Sequence, residues 1–183
     1  MYILLKMTKN QLSLSKTTVK SYPHDDPASS HPQSGNLVPS ILIPLQDQTL
    51  LLPRTTIAEV IPFIAPDPLQ DAPQWLYGTL RWREQLLLLI SFEALQRKPA
   101  PPLSKQTRIV VFNSVTRLSK RKFYALIIQG IPQLILARAD NLSAFPKPPN
   151  SPLLHCCAEI NQCPVVIPNL GYLEEMLQRC VTG

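Results

Sequence analysis

Four cysteines and three histidines are the side chains of this 183-residue chain best suited to metal or covalent chemistry. His155, Cys156, Cys157 and Cys163 lie close together, with Cys180 further on. Zinc sites use ligand pairs about two to four residues apart. Cys156 and Cys157 are adjacent, so on a strand their side chains point to opposite faces. They read as reduced, buried thiols, and no metal is expected. His24 and His31 sit in a polar segment without partners. No Ser-His-Asp or Cys-His arrangement is suggested. Five glycines, none clustered, leave no loop to cradle a phosphate. The chain is therefore not expected to be an enzyme or to carry a cofactor.

Binding chemistry is better represented. Arg81, Trp82 and Arg83 stand in a row, and arginine and tryptophan are the side chains most often found as interface anchors. Each has a plainer reading. Arg83 can be a solvated turn charge, Trp82 a half-core residue at a strand end, and Gly78 a site of close strand packing. The formal net charge is +6, unevenly spread. Arg97, Lys98, Lys105, Arg108, Arg117, Lys120, Arg121 and Lys122 fall in one stretch that holds no acid. That stretch is either a solvated loop face or a face for an acidic protein partner or a nucleic acid.

The elements that position these residues are short. Twenty prolines break the chain often and argue against a helical bundle, while 45% hydrophobic residues suffice for a core. Apolar runs such as Leu86 to Ile90 fall far short of the ~20 residues that a membrane-spanning helix needs. Met1 to Leu5 is too short for the core of a signal peptide, so a cytoplasmic protein is expected. Residues 1–37 are read as a flexible tail, because Tyr22 to Asn36 is rich in proline, serine and charge. The ordered domain is expected over residues 38–183. Strands are predicted over Ser40 to Leu45, Thr49 to Leu52, Thr55 to Ile61 and Trp75 to Trp82. Arg83-Glu84-Gln85 should form a polar turn. Leu86 to Ile90, with no alternation, should be a strand covered on both faces. Ser91 can cap a short helix with Glu93 in its first turn. Further strands are predicted over Thr107 to Phe112, Phe123 to Gln129, Gln133 to Ala137, Leu154 to Ile160 and Cys163 to Ile167. Ser114 to Lys122 reads as a polar loop, and Asp140 to Pro152 as a proline-rich one. Asn169 can cap a final helix with Leu170, Leu173, Leu177 and Cys180 on one side and Glu174, Glu175 and Gln178 on the other. The unit strand, polar turn, apolar strand, capped helix thus occurs twice. Two similar small β-barrels are the expected outcome, since closure removes exposed edges.

The segments Ile57-Ala58-Glu59-Val60, Trp75-Leu76-Tyr77-Gly78-Thr79-Leu80 and Trp82-Arg83-Glu84-Gln85, in that order of elements, resemble the CheW-like coupling domain of bacterial chemosensory systems. The family motif G-V-I-N-L-R-G is similar to Gly78-Thr79-Leu80-Arg81-Trp82-Arg83-Glu84, and its P-V-x-D-L strand end to Leu88-Leu89-Ile90-Ser91-Phe92. The asparagine, the second glycine, the proline and the aspartate are absent here. Trp82-Arg83 and Ile90-Ser91-Phe92-Glu93 look closest to the ChpC-type branch, found beside type IV pilus (twitching) systems.

The resemblance covers about residues 38 to 181. It implies a mainly β fold of two intertwined, five-stranded SH3-like barrels with short helices. It implies an adaptor without catalysis that couples a methyl-accepting chemotaxis receptor to a CheA-type histidine kinase, and recruitment to membrane receptor arrays. By position, Arg83 matches the motif arginine used in receptor coupling, Gly78 the motif glycine and Ile57 an apolar contact position. Arg81 and Trp82 join them as candidate partner-binding residues on what is expected to be an exposed turn. Glu84 in place of glycine puts the turn geometry in question. The alternative is a nucleic-acid-binding β-barrel. Against it, only Phe123 and Tyr124 adjoin the basic run, and stacking platforms need several exposed rings.

Overall fold

The computed structural model describes residues 37–116 and 121–180. The expected tail, apart from residue 37, lies outside the described residues, as does the middle of the polar loop before Arg121. Eleven strands form among the described residues, in two sheets. The first sheet joins β1 (Val38–Pro44), β2 (Thr49–Pro53), β8 (Gln133–Ala137), β9 (Leu142–Phe145), β10 (Leu154–Ile160) and β11 (Cys163–Pro168), in the order β8-β1-β2-β11-β10-β9. The second joins β3 (Ile57–Pro62), β4 (Leu76–Trp82), β5 (Gln85–Ile90), β6 (Thr107–Asn113) and β7 (Phe123–Gln129), in the order β3-β6-β7-β5-β4. The chain leaves the first sheet after β2, builds the whole second sheet, and returns at β8.

Alternation along the strands sorts the side chains into three cores. Leu80, Leu87, Leu89, Ile109, Val111, Ala125 and Ile127, with Ile61 packed against them, fill the second sheet from all five of its strands. A cluster lined by every strand requires the sheet to curl on itself. Its end strands meet through the chain that follows β3: Asp67 and Thr79 exchange backbone hydrogen bonds of 2.7 and 2.8 Å. In the first sheet, Leu51, Ala137, Ala158, Ile160 and Val165, with Val38 and Leu142, play the same part. The residues between these, among them Leu50, Leu52, Leu88, Ile90, Val110, Phe112, Leu126 and Ile128, face the third core, which the two sheets share. Leu87 to Ile90 are therefore buried on both faces, which is why the run shows no alternation. Leu86 is the exception, at 53% exposed, because it lies beyond the end of the shared core.

Two helices close the ends of that core. Ser91 accepts the amide of Ala94 at 3.2 Å and starts α1 (Phe92–Leu95). Asn169 accepts the amide of Tyr172 at 3.1 Å and starts α2 (Leu170–Arg179). Each follows a hairpin whose two turn residues both have positive φ: Arg83 (44°) and Glu84 (62°), then Asn161 (50°) and Gln162 (65°). That is the type I′ pattern, whose twist matches paired strands. The repeat expected from sequence is present in both hairpins and both caps.

Several expectations are corrected. The first sheet has six strands, because Leu142–Phe145 pairs with β10 inside the segment expected to be a loop. Its four residues sit among prolines and polar groups that mask so short a strand. Thr55 and Thr56 belong to a 3-10 turn, and β3 starts at Ile57. Gln85 is not in the turn but pairs with Trp82. Glu174 is not on a solvent face. It is buried on α2, accepting the amides of Val115 (2.7 Å) and Thr116 (2.9 Å) and the hydroxyls of Ser114 (2.8 Å) and Thr116. Glu93 is likewise buried, taking the Ser91 hydroxyl at 2.9 Å and the Gln46 amide at 3.3 Å. Each carboxylate ties a loop to its helix.

Candidate partner-binding site

The hairpin between β4 and β5 carries the residues singled out by sequence. Arg83 is the first turn residue, and its side chain is 69% exposed. Its Nη2 lies 2.9 Å from Glu59 Oε2, and its guanidinium carbon lies 4.8 Å above the centre of the Trp82 ring. The same Glu59 oxygen accepts the indole N–H of Trp82 at 2.9 Å. Trp82 also packs edge-on against Phe123, with ring centres 5.0 Å apart. One carboxylate oxygen thus fixes both the arginine and the ring beneath it.

Glu59 reaches this place through an irregularity in β3. The register of β3 on β6 shifts between Ile57 and Glu59. A bulge re-aims the residues that follow it. Ile57 accordingly faces the shared core, whereas Ile61 belongs to the interior of the second barrel. Glu59 comes to the mouth of that barrel, where Trp82 closes it. The resulting arrangement is a cation held in a set pose on an aromatic plate, with its outer face open to solvent. Such a group can meet a carboxylate or a ring of a partner without first losing its own freedom.

The other candidate residues fall in different places. Arg81 is exposed, but it lies on β4 opposite Leu86 and not in the turn. Trp82 is not an exposed anchor. It is 9% exposed and serves as the floor under Arg83. Ile57 is 8% exposed, paired with Phe112 and packed in the shared core, so it offers no side-chain surface as it stands. Gly78 has φ +136°, and a Cβ there would lie 2.1 Å from the carbonyl oxygen of Asp67. Its role is to let the barrel-closing segment approach β4. Arg83 therefore forms the exposed part of the candidate site, with Glu59 and Trp82 as its support, whereas Arg81 is exposed on the face of β4 opposite to Trp82. Glu59 was read in sequence only as part of a motif. The sole sequence signal for its role is an acid on a strand near the aromatic-arginine pair.

The thiols lie outside this hairpin and are not buried as expected: Cys156 and Cys157 are half-buried on β10, and Cys163 and Cys180 are exposed, because the end of β10–β11 and the end of α2 project beyond the cores. Burial, with Cys157 alongside, raises the Cys156 thiol pKa, and burial alone raises that of Cys180. Among the described residues no group of three or more His, Cys, Asp or Glu side chains could hold a metal ion. No described helix is long and apolar enough to cross a membrane.

The family model for the CheW-like domain matches residues 39–173. Among solved structures, the scaffolding protein TtCheW from Thermoanaerobacter tengcongensis superposes with a TM-score of 0.62 at 15% identity, over 73% of this chain and 90% of that one. No curated protein matches. The likeness to TtCheW establishes the paired SH3-like barrels expected from sequence.

Proposed function

The chain belongs to the CheW-like domain family, and on that premise we propose that it is a chemosensory adaptor, coupling a methyl-accepting receptor to a CheA-type histidine kinase without catalysing a reaction. The observation that carries the reading is the fixed pose of Arg83. An exposed arginine held by an acid and an aromatic plate, on a backbone that favours glycine or asparagine, has the form of a binding anchor. A rigid β surface bearing such an anchor can make an interface of ~800 Å² per side without a cleft. On this reading the protein is recruited to membrane receptors through its partners. The wording Trp82-Arg83 and Ile90-Ser91-Phe92-Glu93 supports a place in a type IV pilus pathway. Co-purification with the kinase of such a system is the check on that finer assignment.

The central test is Arg83→Glu. The variant keeps the fold by circular dichroism and loses about 2 kcal/mol or more of binding, roughly thirtyfold in Kd. Calorimetric titration against the regulatory domain of a CheA-type kinase and against a receptor signalling tip measures this. Unchanged affinity for both partners would rule the reading out.

A further inference from the structure

The basic stretch found in sequence is not used by the Arg83 site, yet part of it reaches the same sheet. β5 lies between β4 and β7. Arg81 on β4 is directly opposite Leu86 on β5, so the two side chains share a face. β5 and β7 run parallel, with Leu89 beside Ala125. Carried back along both strands, that register sets Leu86 beside Lys122. The alternation agrees. Leu87, Leu89, Ala125 and Phe123 face the barrel interior, and Leu88 and Tyr124 face the shared core. Arg81, Leu86 and Lys122 continue that second face beyond the point where the first barrel covers it. All three are exposed.

The result is a row from β4 across β5 to the residue that precedes β7: cation, leucine, cation. Beside it opens a cleft of about 230 Å³ lined by Gln85, Leu86, Leu87, Arg121, Lys122 and Phe123. Arg121 leans over β5 and donates from Nη1 to the Leu86 carbonyl at 3.4 Å. Among the described residues, those that line the cleft include no carboxylate. The row thus joins a leucine that is 53% exposed to a basic residue on either side.

We propose that this row and its cleft form a second interaction surface, which receives a protein segment carrying an apolar side chain flanked by acidic ones. The apolar residue covers Leu86 and enters the cleft, and the flanking carboxylates pair with Arg81 and Lys122. Charge complementarity selects the occupant, and the single apolar position sets its register. A nucleic acid would meet the cations but gain little at Leu86, since Phe123 turns its ring toward Trp82 and presents no stacking platform.

The test uses the full chain and fluorescein-labelled pentapeptides with blocked ends, read by fluorescence anisotropy. Glu-Glu-Leu-Glu-Glu should bind, Lys-Lys-Leu-Lys-Lys should not, and Glu-Glu-Ser-Glu-Glu should bind markedly more weakly. Lys122→Glu should weaken the acidic leucine peptide about tenfold or more. Adding Arg81→Glu should abolish binding, and Leu86→Ser should remove the preference for leucine over serine. Circular dichroism checks that each variant folds, and Lys122→Gln gives a milder version of the same comparison. The proposal fails if the acidic leucine peptide does not bind, if the variants bind it equally, or if serine and leucine peptides bind alike. It also fails if an oligothymidylate of equal charge binds more tightly with a steep salt dependence, which marks a nucleic-acid face. Neither kinase nor receptor is in the assay, so these outcomes are separate from the outcome of the Arg83 test.

Discussion

Glu59 is the residue on which the pose of Arg83 depends, and its contribution can be divided into two parts. One oxygen accepts both the Arg83 guanidinium and the Trp82 indole, each at 2.9 Å. The ion pair is open to solvent, with side chains 69% and 36% exposed, so it contributes at most about 0.5–1 kcal/mol. The indole bond is made by a nearly buried ring and contributes about 1 kcal/mol. Glu59→Ala should therefore destabilise the fold by about 1.5–2 kcal/mol. Glu59→Gln keeps an acceptor for the indole and loses only the charge, so it should cost about 0.5 kcal/mol. A double-mutant cycle with Arg83→Ala should give a coupling of about 0.5 kcal/mol at low salt. At 1 M salt, where screening acts over about 3 Å, the coupling should vanish while the cost of Glu59→Ala largely remains. Urea unfolding followed by tryptophan fluorescence measures all of these. Equal costs for Glu59→Gln and Glu59→Ala, or no coupling at low salt, would show that Glu59 does not hold Arg83.

Three further outcomes are expected. Gly78→Ala places a methyl group 2.1 Å from the Asp67 carbonyl at φ +136°, so barrel closure should be disrupted, with a loss of about 3 kcal/mol or more in urea unfolding. Glu174→Ala leaves the amides of Val115 and Thr116 and the Thr116 hydroxyl without the acceptor they share, while the Ser114 hydroxyl keeps the Thr116 carbonyl; it should cost about 3 kcal/mol and raise amide exchange at Val115 and Thr116. Burial, reinforced by Glu174, holds the Tyr124 phenol pKa well above its ordinary value of 10.0. The unfolded chain then loses that proton before the folded one, so stability falls as pH rises from about 10. Tyr124→Phe, which removes a buried hydroxyl that has no hydrogen-bond partner among the described residues but keeps the ring stacked on Phe112, should raise stability slightly and flatten that alkaline decline in thermal unfolding.

What the sequence revealed and what it hid separate along a physical line. Phe123–Gln129, Gln133–Ala137 and Leu154–Ile160 were legible to the residue, because a glycine, a proline or a polar turn bounds each apolar run. The caps Ser91 and Asn169 were legible because capping is local chemistry. The hidden features all depend on a distant partner. Glu59 meets Trp82 across 23 residues of chain, and an acid on a strand does not by itself say which distant ring it will meet. Ile57 is buried in the shared core beside a bulge in β3, and a bulge leaves no mark in composition. The acid on α2 looked solvent-facing because helical spacing records only where the leucines are. The loop that covers Glu174 comes from 58 to 60 residues away.

The two hairpins differ in what their tips carry. They share turn geometry, the apolar second strand and the capped helix that follows. At the first turn position the second hairpin has Asn161, a residue that tolerates positive φ. The first hairpin places Arg83 there, at a backbone cost of order 1 kcal/mol, while the second turn position carries a comparable cost in both hairpins, at Glu84 and at Gln162. Asparagine and glycine would make the same turn without that cost, so stability alone does not account for the arginine. Strand pairing does not account for it either, since Trp82 and Gln85 pair normally on both sides. What the arginine adds is a cation fixed outside the barrel, held by Glu59 and backed by Trp82. The second hairpin has no such support in its tip. On the reading proposed above, it is the contact Arg83 makes with a partner that keeps an arginine at a turn position where asparagine would serve.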